Sequence, residues 1–548
     1  MKRSGTVIYH FNMDRRSFFK GIIALSGLPL LINACKTKKI VRGRIVGGSA
    51  HIGHQLRDKK FNSPEITRHT DIVIIGGGIS GLSAARYLSQ NGHDDFILLD
   101  LEEKPGGNAA YGSNAVSPYP WGAHYIPIPN NSLHEYQQFL TEAGVIIGRN
   151  EQGLPVYNDY YLCFDPQDRL YINGQWQDGI IPILGVPEKD RKQIDRFLQF
   201  MNELRYTKGD DGKDAFALPV DDSSKDEQYT KLDSLTMSEW LKTNSYDSKY
   251  LNWYINYCTR DDFGTSINEI SAWAAIHYFA SRKGKGSNAE HDDVLTWPAG
   301  NGWLVQQLEK TLSGKVLTGS MAVKVKALEN GNIAIEYLDV KEGKLKRLIS
   351  KQCILAIPQF VASRILDDQE RQQVVRNGLK YMPWMVANLT VHKLEERNGA
   401  PPSWDNVLFE SDSLGYVIAT HENLDQYKPK KNLTYYLPLT ANPEAESRKI
   451  AQGRTYEEWL EIIFNDLGKV HPNIREATEE VNIMIWGHAM AKPLPGLIHG
   501  SLRPKLKASI NQNIHFAHTD IAGVSLFEEA FYQGLNAAKE VIKQLNQS

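Results

Sequence analysis

At 548 residues the chain is too long for a single hydrophobic core and is expected to divide into two domains. A formal net charge of −2 and a pI of about 6.8 provide no basic field for nucleic acid. A mean hydropathy of −0.41, with no long apolar run beyond the first 35 residues, excludes a multi-span membrane protein. Cys35, Cys163, Cys258 and Cys353 form no C-x-x-C pair, so there is no zinc or thioredoxin-like signature and no metal site is read. The last three are expected to be buried free thiols.

Asp14-Arg15-Arg16-Ser17-Phe18-Phe19-Lys20 resembles a twin-arginine export signal. The apolar run 21–34 is shorter than a bilayer span and reads as a signal core, not an anchor helix. It ends Leu31-Ile32-Asn33-Ala34-Cys35, similar to a bacterial lipobox, although Asn33 departs from the small or apolar residue usual there. The resemblance implies an export signal over 1–35, with the twin-arginine machinery as partner. It also implies a periplasmic location and membrane attachment through a lipid on Cys35. Met13 is the expected start, since the signal is compact from there. The route carries folded proteins, so a cofactor would be bound before export. Residues 36–65 read as a linker, basic and glycine-rich over 36–54.

The strongest signal begins at Asp71. Ile72-Val73-Ile74-Ile75 is short, β-branched and stopped by glycine, as a buried parallel strand is. Gly76, Gly78 and Gly81 fit G-x-G-x-x-G, with Ile79 and Ser80 opening the helix on which Leu82, Ala85 and Leu88 recur. Gly76 allows the turn, Gly78 lets backbone approach a pyrophosphate, and Gly81 lets helix and sheet pack closely. The helix N-terminus offers free N–H groups and partial positive charge to the phosphates. Phe96–Leu99 reads as the next strand, and Asp100 lies where an acid binds ribose hydroxyls.

Lys104-Pro105-Gly106-Gly107-Asn108 follows directly. Here the chain resembles the flavin-containing amine oxidase and phytoene desaturase superfamily, although Asn108 stands where those proteins usually carry Arg. The resemblance implies non-covalent FAD with Gly106 and Gly107 beside its diphosphate. It places Gly122-Ala123 beside the isoalloxazine ring, with their backbone N–H groups supporting it and Trp121, His124 and Tyr125 facing it. Residues 136–290 read as a mostly helical insertion: Ile194, Phe197, Leu198, Met201 and Leu204 share a helical face, and a helix starts after Thr236. Residues 208–227 are polar and read as an exposed loop. Tyr257 and Arg260, in Arg260-Asp261-Asp262, are candidate substrate-cavity residues. The alternative for Arg260 is a helix-end ion pair with Asp261.

Trp297-Pro298-Ala299-Gly300-Asn301-Gly302-Trp303-Leu304 resembles the segment that re-enters the flavin domain in that superfamily. The resemblance implies that Val323 meets the adenine through its backbone. The 381–390 strand lacks the lysine many flavin amine oxidases carry there, which puts a quinone beside oxygen as electron acceptor. Trp486 and His488 are candidate catalytic residues. In the closing segment, Asp520 is expected to accept hydrogen bonds from ribityl or phosphate-side hydroxyls. The helix from Phe527 and Glu528 points its N–H groups at the flavin. No cysteine lies there, so a cysteinyl flavin link is not available.

The expected fold is α/β: a Rossmann-type FAD-binding domain with a parallel sheet and an inserted α+β substrate domain. FAD-binding parts fall at 66–135, 291–390 and 481–548, and substrate-domain parts at 136–290 and 391–480. The implied activity is oxidation of a small molecule by hydride transfer from a carbon, expected to be alpha to an amine, to flavin N5. A desaturase or isomerase acting on an apolar polyene or lipid, and a flavoprotein without turnover, remain open.

Overall fold

The computed structural model describes residues 39–58, 61–423 and 429–547. The twin-arginine stretch, Met13 and Cys35 lie outside the described residues, and the fold belongs to the unit Val41–Ser548.

At its centre is a five-stranded parallel sheet in the order Val316–Leu317, Phe96–Leu99, Ile72–Ile75, Gln352–Leu355, Ile514–Phe516. Strands from three distant parts of the chain are therefore hydrogen-bonded neighbours. Side chains alternate along a strand. Ile72 and Ile74 pack with the helices Ile79–Gln90 and Phe527–Gln547, while Val73 and Ile75 pack on the opposite side with Val325, Ile335 and Leu348. Those last three come from a four-stranded sheet of Ser320–Ala327, Ile333–Asp339 and Lys344–Ser350, closed by Ile66–His69.

The second architectural unit is an eight-stranded mixed sheet. Its two longest strands, Tyr381–His392 and Thr478–Ala491, pair with each other. Tyr381–His392 also pairs with Lys430–Pro438, so both long strands belong largely to the substrate side and not to the FAD-binding segments. The helices Glu188–Arg205, Lys249–Phe263 and Ala272–Ala280 pack together beside this sheet in one core. Ile194, Phe197 and Met201 are buried on the face their spacing predicts. Thr236 caps Met237–Thr243 with a reciprocal Glu239 contact.

Two expectations are corrected. Part of the linker is built into the fold: Arg42–Val46 is a parallel edge strand against Thr478–Ala491, and Ala50–Gly53 and Gln55–Asp58 are helical. Ser49 donates from its N–H and hydroxyl to Glu102 at 2.8 and 3.0 Å. Five residues pairing in register outweigh the glycine at 43, whose φ of +137° explains why glycine stands there. Within 208–227, the segment 215–220 is buried, and the Val220 N–H donates to Glu529. The surrounding charges masked this short apolar insertion.

The two helices over the parallel sheet meet at Gly534, where a Cβ would stand 2.0 Å from the Ser80 carbonyl oxygen. Gly534→Ala is expected to push them apart at a cost of about 1–3 kcal/mol. A thermal melt would show this as a lowered Tm; an unchanged Tm contradicts the close crossing.

Candidate active site

The glycine motif forms a cradle. The Gly106 N–H donates to the Gly77 carbonyl at 2.8 Å, and Gly78 bridges Gly106, so the two glycine loops lie side by side. Gly78 is the N-cap of Ile79–Gln90 with no side-chain cap, which leaves first-turn N–H groups directed outward. Gly81 is required by packing, since a Cβ would lie 1.8 Å from the Gly76 carbonyl oxygen. Gly78 is different: its Cβ would meet nothing nearer than Gly107 Cα at 4.0 Å. The protein itself does not need glycine there, but a diphosphate approaching the backbone does.

Asp100 closes the cradle from the neighbouring strand. Its carboxylate accepts from the Gly77 N–H at 2.6 Å and the Glu102 N–H at 2.7 Å. Burial pushes it up to about 6, against those two hydrogen bonds. Val323 sits at a register shift between Ala322 and Lys324 and has no cross-strand partner, so its backbone is available to a base edge. Asp520 is buried at the far edge of the same sheet. Its Oδ2 accepts from the Gln359 N–H and the Tyr381 hydroxyl, and its own N–H donates to His518 Nδ1, which lies 3.2 Å from Oδ1. Burial pushes Asp520 up, but those partners outweigh it and hold the carboxyl low. Two of its roughly four lone-pair positions are thus taken by protein donors, and its first task is to fix the Gln359 turn.

Beyond the cradle lies a cavity that opens to solvent. Gly122, Ala123, Trp486, Phe527 and Glu528 line it together with Asn108, His124 and Tyr125. Asn108 ties three elements together. Its Nδ2 donates to the Ala489 carbonyl at 2.6 Å, and its own carbonyl accepts from the Ala123 N–H at 2.9 Å. The Ala123 N–H is therefore spent within the protein and not held out to a ring. The Trp486 indole donates to the Trp121 carbonyl at 2.7 Å. His124 stacks on Tyr436 at 4.7 Å, and burial lowers it to about 4, so it is neutral at pH 7.

The remaining candidates divide. Trp121 packs edge-on to Tyr119 outside the cavity lining. His488 is also outside it, against Phe360 and Tyr381, and is lowered to about 4 by burial and then by Arg448 and Arg57. Tyr257 donates to Asp405 at 3.1 Å, and Arg260 donates to the Asp412 carbonyl, not to Asp261. Neither Tyr257 nor Arg260 lines the cavity; their neighbours Asp261 and Asp262 do. Asp262 is paired with Arg282 and lies 3.4 Å from the Tyr125 hydroxyl. Sequence reading missed Arg282, Trp384 and Tyr436 as lining residues. The alternation of the Tyr381–His392 strand could have found Trp384, but no local signal linked Arg282 to Asp262.

The glycine cradle with its uncapped helix end, the bulge at Val323 and the cavity beside Gly122 would suit the diphosphate, adenine and ring of FAD. Residues 79–542 match the family described as flavin containing amine oxidoreductase. An L-amino acid dehydrogenase of Synechocystis sp. is 24% identical over 309 residues, 54% of this chain and 57% of that protein. This chain thus spans little more than half the length of that relative. Oxidoreductase PigB of Serratia sp. is 22% identical across 98% of this chain and 84% of its own length. Among solved structures, putrescine oxidase bound to putrescine superposes with a TM-score of 0.62 at 16% identity, covering 87% of this chain and 100% of that one. Cyclohexylamine oxidase from Brevibacterium oxydans gives 0.62 at 14%, covering 87% and 99%.

Gly78→Ala separates fold from cofactor. The apoprotein is expected to melt within a few degrees of wild type, while bound FAD, read as the ratio of visible to ultraviolet absorbance, falls steeply. Full flavin content in the variant contradicts the cradle. A second expectation concerns Asp261, which burial and then Asp262 raise to about 7 from the ordinary 3.8. A carboxyl raised in the folded state stabilises through its protonated form. That contribution is complete below its unfolded pKa and is lost as pH climbs to about 7. The Tm should therefore fall across pH 4 to 7, and Asp261→Asn should remove part of that fall; superimposable profiles contradict it.

Proposed function

The chain belongs to the flavin-containing amine oxidoreductases and is an FAD-dependent oxidoreductase of amine oxidase type; from that premise we propose that it oxidises the carbon beside the nitrogen of a small amine in the cavity at Trp486. The observation that carries this reading is the wall itself: aromatic faces from Trp486 and the His124–Tyr436 stack, with the Asp261 carboxyl group among them. Bound FAD supplies the two-electron acceptor, held by the Gly76–Gly81 and Gly106–Gly107 loops. The chain's own part is to position the carbon and exclude water. Trp486 is fixed by its hydrogen bond to Trp121 and presents a flat apolar face. His124, held neutral, adds aromatic surface without adding charge.

Among the described residues no lysine lines this cavity; Trp384 and Val386 are the residues of the Tyr381–His392 strand that do. This supports a quinone as electron acceptor over oxygen. A membrane quinone also suits an enzyme exported by the twin-arginine route to the periplasm and tethered through a lipid on Cys35.

Under argon, a panel of small amines is expected to bleach the flavin absorbance of the purified holoenzyme, and a soluble quinone to restore it faster than air. Flavin that no amine bleaches contradicts the reading. Trp486→Ala should lower kcat/KM by about tenfold or more through lost positioning, whereas His488→Gln should stay within about threefold. Equal losses in both would contradict the assignment.

A further inference from the structure

Carboxyl groups outnumber cationic groups in the cavity wall. Among the described residues, Asp261, Asp262 and Glu528 line it with one cation, Arg282, and His124 is held neutral. Arg282 is already committed: its guanidinium pairs with Asp262 and lies over the Tyr278 ring at 4.6 Å. That leaves Asp261 and Glu528 as surplus carboxyls. Hydrogen bonding gives a second, independent sign. Glu528 is 3% exposed and Asn301 is 1% exposed, yet Glu528 Oε1 and Asn301 Oδ1 have no hydrogen-bond partner, and both residues line the cavity. Buried acceptors without donors are costly unless a bound group supplies them. The wall therefore lacks positive charge and N–H donors, and an ammonium brings both. Tyr125, Tyr436 and Trp384 add aromatic faces suited to a cation.

We infer that Asp261 forms a cation-specific subsite that admits amines lacking a carboxylate and turns amino acids away. The inference rests on the amine-oxidising reading and narrows its substrate class. An amino acid carries an anion that must be buried with its charge paired. Among the described residues the one cation lining the cavity, Arg282, is bound to Asp262, so the carboxylate finds no partner for its charge there.

The test uses two probes whose nitrogen-bearing carbon has no hydrogen, so that neither is oxidised. tert-Butylamine is the carboxylate-free probe and 2-aminoisobutyrate the amino acid probe. Each is titrated into the FAD-loaded enzyme and followed by calorimetry and by the flavin difference spectrum. Wild type should bind tert-butylamine at least about tenfold more tightly than 2-aminoisobutyrate. Asp261→Asn should weaken tert-butylamine by about tenfold or more, and Asp261→Glu should restore much of it. Equal or tighter binding of 2-aminoisobutyrate, no binding of either probe, or tert-butylamine affinity unchanged in Asp261→Asn overturns the subsite. The wild-type comparison stands on its own if the variants do not fold. If tert-butylamine binds as expected but no oxidisable amine bleaches the flavin, the subsite stands and the turnover reading falls.

Discussion

The contact between two glycine loops is the constraint on which the rest depends. Gly77 offers its carbonyl to the Gly106 N–H and its own N–H to Asp100. Strand, helix start and second loop are thereby locked around a space that side chains have vacated. Bulk at Gly81 or Gly534 would collide with neighbouring backbone, so the helices can approach the sheet only as glycine permits. The parallel sheet brings Asp100 and Asp520 to the C-terminal ends of its strands, where open α/β sheets bind ligands. Two further strands lie between theirs. The substrate cavity is secondary to this frame: Asn108, directly after Gly107, fixes both the Ala123 turn and the Thr478–Ala491 strand.

The cavity combines aromatic surface with surplus acid. A purely apolar polyene would leave Glu528 Oε1 and Asn301 Oδ1 buried without donors, which is why a nitrogen-bearing substrate suits it better. The solved relatives of the same shape include putrescine oxidase, cyclohexylamine oxidase and a fatty acid isomerase. Shape alone therefore leaves the chemistry open, and the charge and donor balance of the wall distinguishes between them.

What the sequence made legible follows from the range of the forces involved. The strand, glycine turn, helix and acid from Ile72 to Asp100 are one local unit, and each residue type has a steric reason within a few positions. The convergence of Cys353 and Phe516 on that unit depended on resemblance, since parallel pairing leaves no local trace. The helix carrying Asp261 was open to inspection, with Ser248 capping its start and Gly264 stopping it at φ +58°. Which member of its polar cluster met the cavity was not. Tyr257 and Arg260 find partners in Asp405 and Asp412, more than a hundred residues away, and only those long-range contacts turn them aside. Arg42–Val46 was hidden for the same reason, because its pairing partner lies beyond residue 477.

The most direct measurement is a crystal structure of the purified protein at a resolution that shows flavin density. The account predicts one FAD, with its diphosphate over Gly78, its adenine at Val323, and its ring between Gly122 and Trp486 with Asp261 across the open cavity. Flavin density elsewhere, or a protein crystallised with added FAD whose glycine cradle holds none, would contradict it.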